Sequence, residues 1–556
     1  MKRFLVALLA LLFVSTPALA KGGVASAADP RAAAAGQAML RAGGSAADAQ
    51  MAMLAALTVV EPQSSGIGGG GFFVYHDARK GKSFTVDGRE TAPMAATPDR
   101  FLGTNGKPLP FIQAFPGGKS VGVPGNVRLM EVVHKKWGRL PWARLFDPAI
   151  KLAEDGFAVT PALAGRIAGM GKMWDDFPAI KSLYWQDGRP KRAGDTIKNP
   201  ELAALLRTIA ARGPDAFYTG ENAARIVAAV AQSDRNPAVL TTADLGAYRA
   251  KERASVCAPY RSYTLCGMGP PSSGATTVFQ ILGMLERFDM KALGKDSPVT
   301  WHLIAEAMQL AYADRESYLG DSDFVSVPVK GLLDRTYIAS RSKLLSETGA
   351  LARYTAGSPP GAARRTAALS SEVAGTTNFV AADGAGNVAT MTSTVEGPFG
   401  SQLVVSGMVL NNELTDFTFA PEKDGAPVAN AVAAGKRPLS SMSPTIVYDA
   451  KGKVILALGS AGGKRIIMHV TKTLIGVLDF GLPAQQAIAL PNLFFGGGDV
   501  LVEQGTALAA MAPQIAALGQ PVIAADLGSK VNAVERTVAG WRGAADPRSE
   551  GVALNE

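Results

Sequence analysis

The sequence contains little cysteine and little histidine, and this scarcity excludes several kinds of site. Of 556 residues, two are cysteine and four are histidine. The histidines, at positions 76, 134, 302 and 469, are too scattered to form a metal-binding pattern with the cysteines. They also fit no Ser/His/Asp or Cys/His motif. We therefore expect no metal site, and a catalytic hydroxyl in this chain needs a base other than histidine.

A strong charge of one sign is also missing. The formal net charge is +9 at pH 7 and becomes +7 without Lys2 and Arg3. No stretch rich in Lys and Arg alternates with aromatic residues, so nucleic acid is not an expected partner. With 47% apolar and 19% charged residues, the composition is that of a globular protein of enzyme size.

Apolar runs long enough to cross a bilayer are missing after the first twenty residues, MKRFLVALLALLFVSTPALA. Two positive charges precede an apolar run from Phe4 to Val14, and Ala18 and Ala20 supply the small residues of a cleavage site. The run is shorter than the roughly 20 residues that span a bilayer. We expect a secretory signal peptide at residues 1–20, a periplasmic or secreted protein and no stable membrane anchor. The alternative is an uncleaved anchor.

The two cysteines lie close together in SVCAPYRSYTLC, around a Pro-Tyr-Arg-Ser turn. This pattern predicts that Cys257 and Cys266 face each other across a β-hairpin. Export permits disulfide bonds. A disulfide and a pair of buried thiols both remain open.

Helix signals dominate the first two thirds of the chain. Asp29 is a good N-cap for a helix that stops at Gly43 and Gly44, and Ser45 caps a second helix that ends before Pro62. Residues 120–350 are mostly amphipathic helix, for example NPELAALLRTIAARG, capped by Asn199. We expect these stretches to be core and scaffold.

A glycine run, GIGGGG, separates the second helix from two predicted strands, FFVYH and SFTVD. Arg89 and Glu90 follow, and we expect both to be exposed. Phosphate-binding loops run in the order strand, glycines, helix. Here the order is helix, glycines, strand, so a phosphate-binding loop is rejected.

The character of the sequence changes at Gly375. Residues 358–373 are rich in Pro, Gly, Ser and Ala with little periodicity, which predicts an exposed linker. After Thr376 the sequence becomes rich in predicted strands, with TNFVAAD, NVATMTSTV, SPTIVYD and KVILALGS. A linker, a sharp junction and a strand together suggest that the chain is cut between Gly375 and Thr376.

A cut before Thr376 gives this residue the means to activate itself. A hydroxyl needs a base, and the new α-amino group, with a pKa of about 7.7–8.0, is suited to that task near neutral pH. Gly375 has no side chain to block attack of the Thr376 hydroxyl on its carbonyl, in an N-to-O acyl shift followed by ester hydrolysis. On this motif alone, Thr376-Thr377 can also be a β-favouring pair that starts a strand.

Five ordered motifs favour the catalytic interpretation: GTTNF, TMTSTVEGPFGS, VLNNELTDF, KRPLSSMSPTIV and LGSAGGKRI. In order and spacing they resemble those of γ-glutamyltransferases, and EPQSSGIGGGGFFVY with VDGRETAP resembles the large subunit of that family. The resemblance covers nearly the whole chain after residue 24. It implies an α/β fold, a four-layer αββα N-terminal-nucleophile hydrolase. It also implies self-cleavage into a large subunit, 21–375, and a small subunit, 376–556, that stay together.

The resemblance also implies a role for each site residue. The implied catalytic residues are Thr376 as nucleophile, Thr394 as its supporting hydroxyl, and Gly462 and Gly463 as an oxyanion hole. The implied substrate-binding residues are Arg89 for the α-carboxylate, Asp416 for the α-ammonium, and Ser440 and Ser441, whose hydroxyls donate hydrogen bonds. An arginine suits the first task because its guanidinium offers a bidentate fork.

Two positions depart from the family pattern. Glu396 and Glu413 stand where well-known transpeptidases carry Asn and Gln. With Asp416 they gather three carboxylates, and crowded like charges raise each other's pKa. We expect one of them to be protonated or paired with Lys or Arg, which favours an amine-bearing substrate. The segment between Asp416 and Arg437 is short beside family members that have a lid loop, which predicts a more open site.

The expected protein is an exported, self-processing γ-glutamyltransferase or hydrolase. It cleaves γ-glutamyl amides such as glutathione through a γ-glutamyl-Thr376 intermediate and passes the acyl group to water, an amino acid or a peptide. No metal or organic cofactor is expected. One alternative is a glutaryl or cephalosporin-type acylase of the same architecture. The other is a secreted, non-catalytic protein that binds glutamyl compounds and never cuts itself.

Overall fold

The structure, a computed structural model, describes residues 22–363, 375–495 and 499–556. The predicted signal peptide and residues 364–373 of the predicted linker lie outside these ranges. The junction between Gly375 and Thr376 lies inside them. Among the described residues, no helix is both long enough and apolar enough to cross a bilayer.

Two antiparallel sheets form the centre of the molecule. Their strands, in chain order, are β1 (Val24–Ala27), β2 (Gly70–Asp77), β3 (Lys82–Asp87), β4 (Lys251–Arg253), β5 (Val256–Tyr260), β6 (Tyr263–Gly267), β7 (Thr376–Ala382), β8 (Val388–Thr394), β9 (Thr445–Tyr448), β10 (Val454–Gly459), β11 (Asn532–Thr537), β12 (Gly540–Ala545) and β13 (Val552–Asn555). The first sheet has the order β13-β1-β7-β8-β2-β3-β4, and the second has the order β12-β11-β10-β9-β6-β5.

Helices cover both outer faces of the paired sheets. The longer ones are α1 (Pro30–Arg41), α2 (Ala46–Val60), α3 (Asn126–Trp137), α4 (Asp147–Asp155), α5 (Pro161–Gly169), α6 (Pro200–Arg212), α7 (Gly220–Ala231), α8 (Gly274–Leu285), α9 (Pro298–Tyr318), α10 (Arg335–Ser342) and α11 (Arg465–Leu478). A smaller sheet contains the strands Leu493–Phe495, Val500–Glu503 and Val522–Ala525.

The strand β2 shows how the layers are built. Successive side chains of a strand point to opposite faces. Phe73 and Tyr75 belong to one core, together with α1 and α2. Phe72 and Val74 belong to a second core, which includes the other sheet and the helices α8, α9 and α11. The order is therefore helix, sheet, sheet, helix, and the predicted four-layer αββα fold is confirmed.

The local elements form where capping and turn residues predict them. Asp29 caps α1 by accepting a hydrogen bond from the Arg31 amide, and Ser45 caps α2 with Asp48 in a capping box. Cys257 and Cys266 lie opposite each other on β5 and β6 and are joined by a disulfide, which decides the question left open by the sequence.

The glycine run brings β2 against β8 at very short range. A Cβ atom added to Gly69 would lie 2.0 Å from the carbonyl oxygen of Thr394, a distance no side chain tolerates. The glycines therefore serve a close approach of two backbones. This approach fixes the end of β8, where Thr394 lies, relative to β2.

Candidate active site

Thr376 begins the strand β7 and lies opposite Thr394, the last residue of β8. The Thr376 hydroxyl donates a hydrogen bond to the Thr394 hydroxyl, with 3.2 Å between the two Oγ1 atoms. The Thr394 hydroxyl donates in turn to the carbonyl oxygen of Gly375 at 3.3 Å and accepts from the Glu396 amide at 2.7 Å. These contacts orient both hydroxyls beside the bond that we expect to be cut.

Gly375 lies where no larger residue fits. A Cβ atom at this position would approach the carbonyl oxygen of Glu396 to 2.1 Å and the carbonyl carbon of Gly397 to 2.7 Å. Glu396 itself has a φ angle of 77°, in the left-handed region that residues other than glycine seldom occupy. Such strain often marks functional turns, and here it lies next to the predicted cut.

The loop from Gly459 to Lys464 connects β10 to α11 and carries the two predicted oxyanion glycines. The φ angles are 134° at Gly462 and 59° at Gly463, both of which favour glycine. His469 supports the loop, because its Nδ1 atom lies 3.0 Å from the Ser460 hydroxyl and 3.2 Å from the Ala461 carbonyl oxygen. Burial lowers the pKa of His469 to about 3, so the ring is neutral at pH 7.

One small cleft collects nearly all predicted site residues. Its empty volume, including the open mouth, is about 230 Å³. The residues that line it are Arg89, Thr376, Thr394, Glu396, Glu413, Asp416, Ser440, Ser441, Met442, Gly463 and Ile466. Gly462 precedes the lining residue Gly463 in the chain but does not itself line the cleft. The apolar walls, Met442 and Ile466, are not among the predicted site residues, although they lie inside the motifs KRPLSSMSPTIV and LGSAGGKRI.

Arg89 and Glu90 are fully buried, so the expectation that they are exposed is wrong. They are buried by tertiary contacts, because the segment around Pro438 and Leu439, about 350 residues later in the chain, packs against Arg89. Arg89 donates from Nε to the Pro438 carbonyl oxygen at 3.1 Å and from Nη2 to the Leu439 carbonyl oxygen at 3.0 Å. A polar dipeptide after a strand carries no sequence signal that a segment far away in the chain will bury it.

Three carboxylates surround the Arg89 guanidinium. Nη1 binds Glu413, Nη2 binds Asp416, and Glu90 lies 4.0 Å from Nη1. Burial lowers the pKa of Arg89, but the charges of Glu413, Asp416 and Glu90 outweigh burial and hold it above its ordinary value. Burial raises the pKa of Glu90 to about 8 and that of Glu413 well above its usual range. The prediction that crowded carboxylates pair with a cation is confirmed for Glu413 and Asp416.

The remaining polar residues of the cleft are also held in place. Glu396 accepts a hydrogen bond from the Asn412 side chain. The Ser440 hydroxyl accepts from the Met442 amide at 3.2 Å, and the Ser441 hydroxyl accepts from Arg315 at 2.8 Å. Each of these contacts limits how far the side chain moves when a ligand enters.

The short segment after Asp416 does not expose the acidic end of the cleft. It contains a small hairpin, Glu422–Lys423 with Ala426–Pro427. Glu413 is 1% exposed and Asp416 is 4% exposed. The predicted open site is therefore not found at this end of the cleft.

Comparison with known proteins agrees with this geometry. A family model described as gamma-glutamyltranspeptidase matches residues 32–555. A glutathione hydrolase proenzyme of Bacillus subtilis (strain 168) is 38% identical over 483 residues, which cover 85% of this chain and 81% of that protein. An acylase ACY 1 proenzyme of Pseudomonas sp. (strain SE83) is 34% identical over 516 residues, which cover 91% and 88%.

A solved structure shares the whole architecture. The crystal structure of cephalosporin acylase from Bacillus halodurans matches with a TM-score of 0.85 and 28% identity, covering 96% of both chains. The family match extends over nearly the full sequence and includes every residue of the cleft. The chain belongs to the gamma-glutamyltranspeptidase family.

Proposed function

We propose that the protein is a γ-glutamyl hydrolase or transferase that activates itself by cutting its chain before Thr376. One observation carries the proposal: the Thr376 hydroxyl lines the same small cleft as a buried arginine and several carboxylates. A γ-glutamyl donor presents a scissile amide at one end and an α-ammonium with an α-carboxylate at the other. A nucleophile beside one cation and several anions matches that pattern.

Activation begins with the Gly375–Thr376 peptide bond. The Thr376 oxygen attacks the Gly375 carbonyl carbon, the C–N bond breaks, and the acyl group of Gly375 moves to the oxygen. Water then hydrolyses this ester, which leaves a carboxylate on Gly375 and a free amine on Thr376. The Thr394 hydroxyl contacts both the Thr376 hydroxyl and the Gly375 carbonyl oxygen and is proposed to stabilise the first step.

The mature site then performs acyl transfer in two steps. The Thr376 amine takes the hydroxyl proton as the oxygen attacks the γ-carbonyl carbon of the donor, and the leaving amine departs with that proton. The turn at Gly462 and Gly463 is proposed to donate backbone N–H groups to the oxyanion. Water, or the amine of an amino acid or peptide, then attacks the ester and releases Thr376. These steps use groups of the chain itself.

Donor recognition is assigned to the far end of the cleft. Arg89 is the only Lys or Arg among the described residues that line it, so it is the proposed partner of the α-carboxylate. Asp416, with Glu396 nearby, is the proposed partner of the α-ammonium. Ser440 and Ser441 line the same cleft and are proposed to add hydroxyl donors.

The sheet order supports the proposal that the two products of the cut stay together. The strands β7 and β8 of the proposed small subunit pair with each other between β1 and β2 of the proposed large subunit. Residues 379–382 of β7 pair with β1, and residues 388–394 of β8 pair with β2, so both strands remain hydrogen-bonded to the proposed large subunit. Separation of the subunits would break the hydrogen bonds between β1 and β7 and between β2 and β8.

We also propose that the protein is exported through its N-terminal segment.

A second candidate is an acylase that removes glutaryl-type side chains. The structural match to a cephalosporin acylase favours it, and Arg89 offers a partner for a terminal carboxylate. Glutaryl groups lack the α-ammonium, however, and the acidic cluster around Arg89 is better matched to a donor that has one.

Matched anilides test the proposal. A denaturing gel of the purified protein is expected to show two fragments, and the processed protein is expected to hydrolyse γ-glutamyl p-nitroanilide faster than glutaryl p-nitroanilide. Thr376→Ala is expected to give one uncut chain with no turnover. Faster glutaryl hydrolysis would support the acylase. A single full-length band with tight binding of glutamyl compounds would support the non-catalytic binding protein.

A further inference from the structure

We infer that His469 is a positioning residue of the acyl transfer: its Nδ1–H group holds the carbonyl of Ala461 and thereby keeps the backbone N–H of Gly462 directed towards the oxyanion. His469 lies in the second turn of α11, behind the loop that connects β10 to this helix, and does not line the cleft. The inference rests on the proposed function and adds to it a side chain that never touches the substrate.

The first observation is that one atom of His469 contacts two groups of the loop. Nδ1 lies 3.0 Å from the Ser460 hydroxyl and 3.2 Å from the Ala461 carbonyl oxygen. The Ser460 hydroxyl donates to the same carbonyl oxygen at 3.3 Å. His469 is 1% exposed and Ser460 is fully buried, so water does not compete for these contacts. A carbonyl oxygen only accepts, and the Ala461 contact therefore requires a proton on Nδ1.

The second observation is that the ring is neutral. Burial lowers the pKa of His469 to about 3, and the nearby Lys472 ammonium acts in the same direction. The imidazole therefore carries one proton at pH 7. The contact with Ala461 places this proton on Nδ1.

The third observation concerns the peptide bond between Ala461 and Gly462, which is trans. The C=O and N–H bonds of a trans peptide point to opposite sides. Because the Ala461 carbonyl points to His469, the Gly462 N–H points away from it. In the described part of the chain, neither Gly462 nor Gly463 donates its backbone N–H to an acceptor, and Gly463 lines the cleft together with Thr376. Both N–H groups are therefore available to an oxyanion.

Glycine at position 462 makes the opposite orientation of this peptide easy to reach, because glycine adopts positive and negative φ angles about equally. The rotated peptide would direct the Ala461 carbonyl dipole at the developing negative charge. It would also bring the Gly462 N–H against the Nδ1–H of His469. The ring packs directly on this turn, since a Cβ atom at Gly462 would lie 3.1 Å from Cε1 of His469. His469 therefore selects the orientation that stabilises the transition state.

Three replacements of His469 test the inference on processed protein with a γ-glutamyl anilide. His469→Leu should lower kcat by about 10- to 100-fold with little change in KM, because an oxyanion donor acts on the transition state. His469→Asn should keep most of the activity, because its amide nitrogen is as many bonds from Cα as Nδ1 is. His469→Gln, whose amide nitrogen corresponds to Nε2, should not. Glutamine is the better helix former, so a merely structural role predicts the opposite order.

His134→Leu is the matched control. Nε2 of His134 lies 2.8 Å from the Leu140 carbonyl oxygen, and His134 does not line the cleft, so this variant should keep its kcat. Unchanged kcat in His469→Leu, an equal loss in His134→Leu, or higher kcat for Gln than for Asn at position 469 would overturn the inference. Failure of the proposed function looks different, because the unmodified, processed protein would then not hydrolyse the anilide.

A measurement on the unmodified protein covers the case in which the His469 variants do not fold or are not processed. Neutron diffraction from crystals exchanged into D2O locates the deuterons of the ring and of the loop amides. The expected result is a deuteron on Nδ1 of His469 and a Gly462 N–D bond directed to the cleft. A bare Nδ1, or an Ala461 carbonyl directed to the cleft, would overturn the inference.

Discussion

The Thr394 hydroxyl accepts a hydrogen bond from the Thr376 hydroxyl across two neighbouring strands, at 3.2 Å. Thr394→Val keeps the shape of the side chain but removes this contact. We expect kcat for a γ-glutamyl anilide to fall by about 10- to 100-fold, because one oriented hydrogen bond at the nucleophile is lost. Steady-state kinetics check this, and Thr394→Ser should keep most of the activity. Full activity of the Val variant would contradict the role.

We expect Gly375 to determine how easily the chain is cut. A methyl group at this position would collide with the Glu396 carbonyl oxygen at 2.1 Å. We expect Gly375→Ala to slow the appearance of the two fragments, because the carbonyl to be attacked is displaced. A gel time course of the freshly purified precursor measures the rate. Gly349→Ala is the matched control, since a Cβ atom there meets nothing within 4 Å. Equal rates for both variants would contradict the prediction.

The loop that follows β10 is predicted to hold the oxyanion. Gly462 has a φ angle of 134°, and an added Cβ atom would lie 3.1 Å from Cε1 of His469. Gly462→Ala should therefore shift the loop and lower kcat by about 100-fold or more while KM changes little. Kinetics on processed protein separate the two constants. A change in KM alone would show that the loop binds the donor without stabilising the oxyanion.

Most local structure and most of the site could be predicted from the sequence. Helix caps such as Asp29 and Ser45 act within three residues, so their signals are local and reliable. The sheet order could not be predicted, because it places β7 between β1 and β8 and puts the C-terminal strand β13 beside β1. Such pairings depend on contacts between residues hundreds of positions apart.

The electrostatics of the cleft were only partly predictable. Glu413 departs from the family pattern, but its partner, Arg89, lies 324 residues earlier in the chain. Glu90 was expected to be exposed and is instead buried beside that arginine. Burial by a distant segment leaves no local pattern, so the ion pairs around Arg89 could be identified only in the structure.

Glu90 should make the stability of the protein depend on pH. Burial raises its pKa from 4.5 to about 8, so between these values the folded state keeps a proton that the unfolded state has released. The stabilisation is full below pH 4.5 and is lost as the pH rises to about 8. We expect the free energy of unfolding to fall across this window by at most about 1.4 kcal/mol per pH unit from this group.

Uncut protein gives the cleanest measurement of this effect. Thr376→Ala should be compared with Thr376→Ala combined with Glu90→Gln, by denaturant unfolding at several pH values. The Gln variant cannot ionise at this position, so its stability should depend less on pH between about 5 and 8. Parallel pH curves for the two proteins would contradict a raised pKa at Glu90.

The central claim is that Thr376 becomes the N-terminal residue and uses its own amine as the base. N-terminal sequencing of the smaller fragment tests it most directly, together with the activity of the same sample. The account predicts a single sequence that begins Thr-Thr-Asn-Phe, in a preparation that hydrolyses a γ-glutamyl anilide. A fragment that starts at another residue, or an active protein that remains one uncut chain, would contradict it.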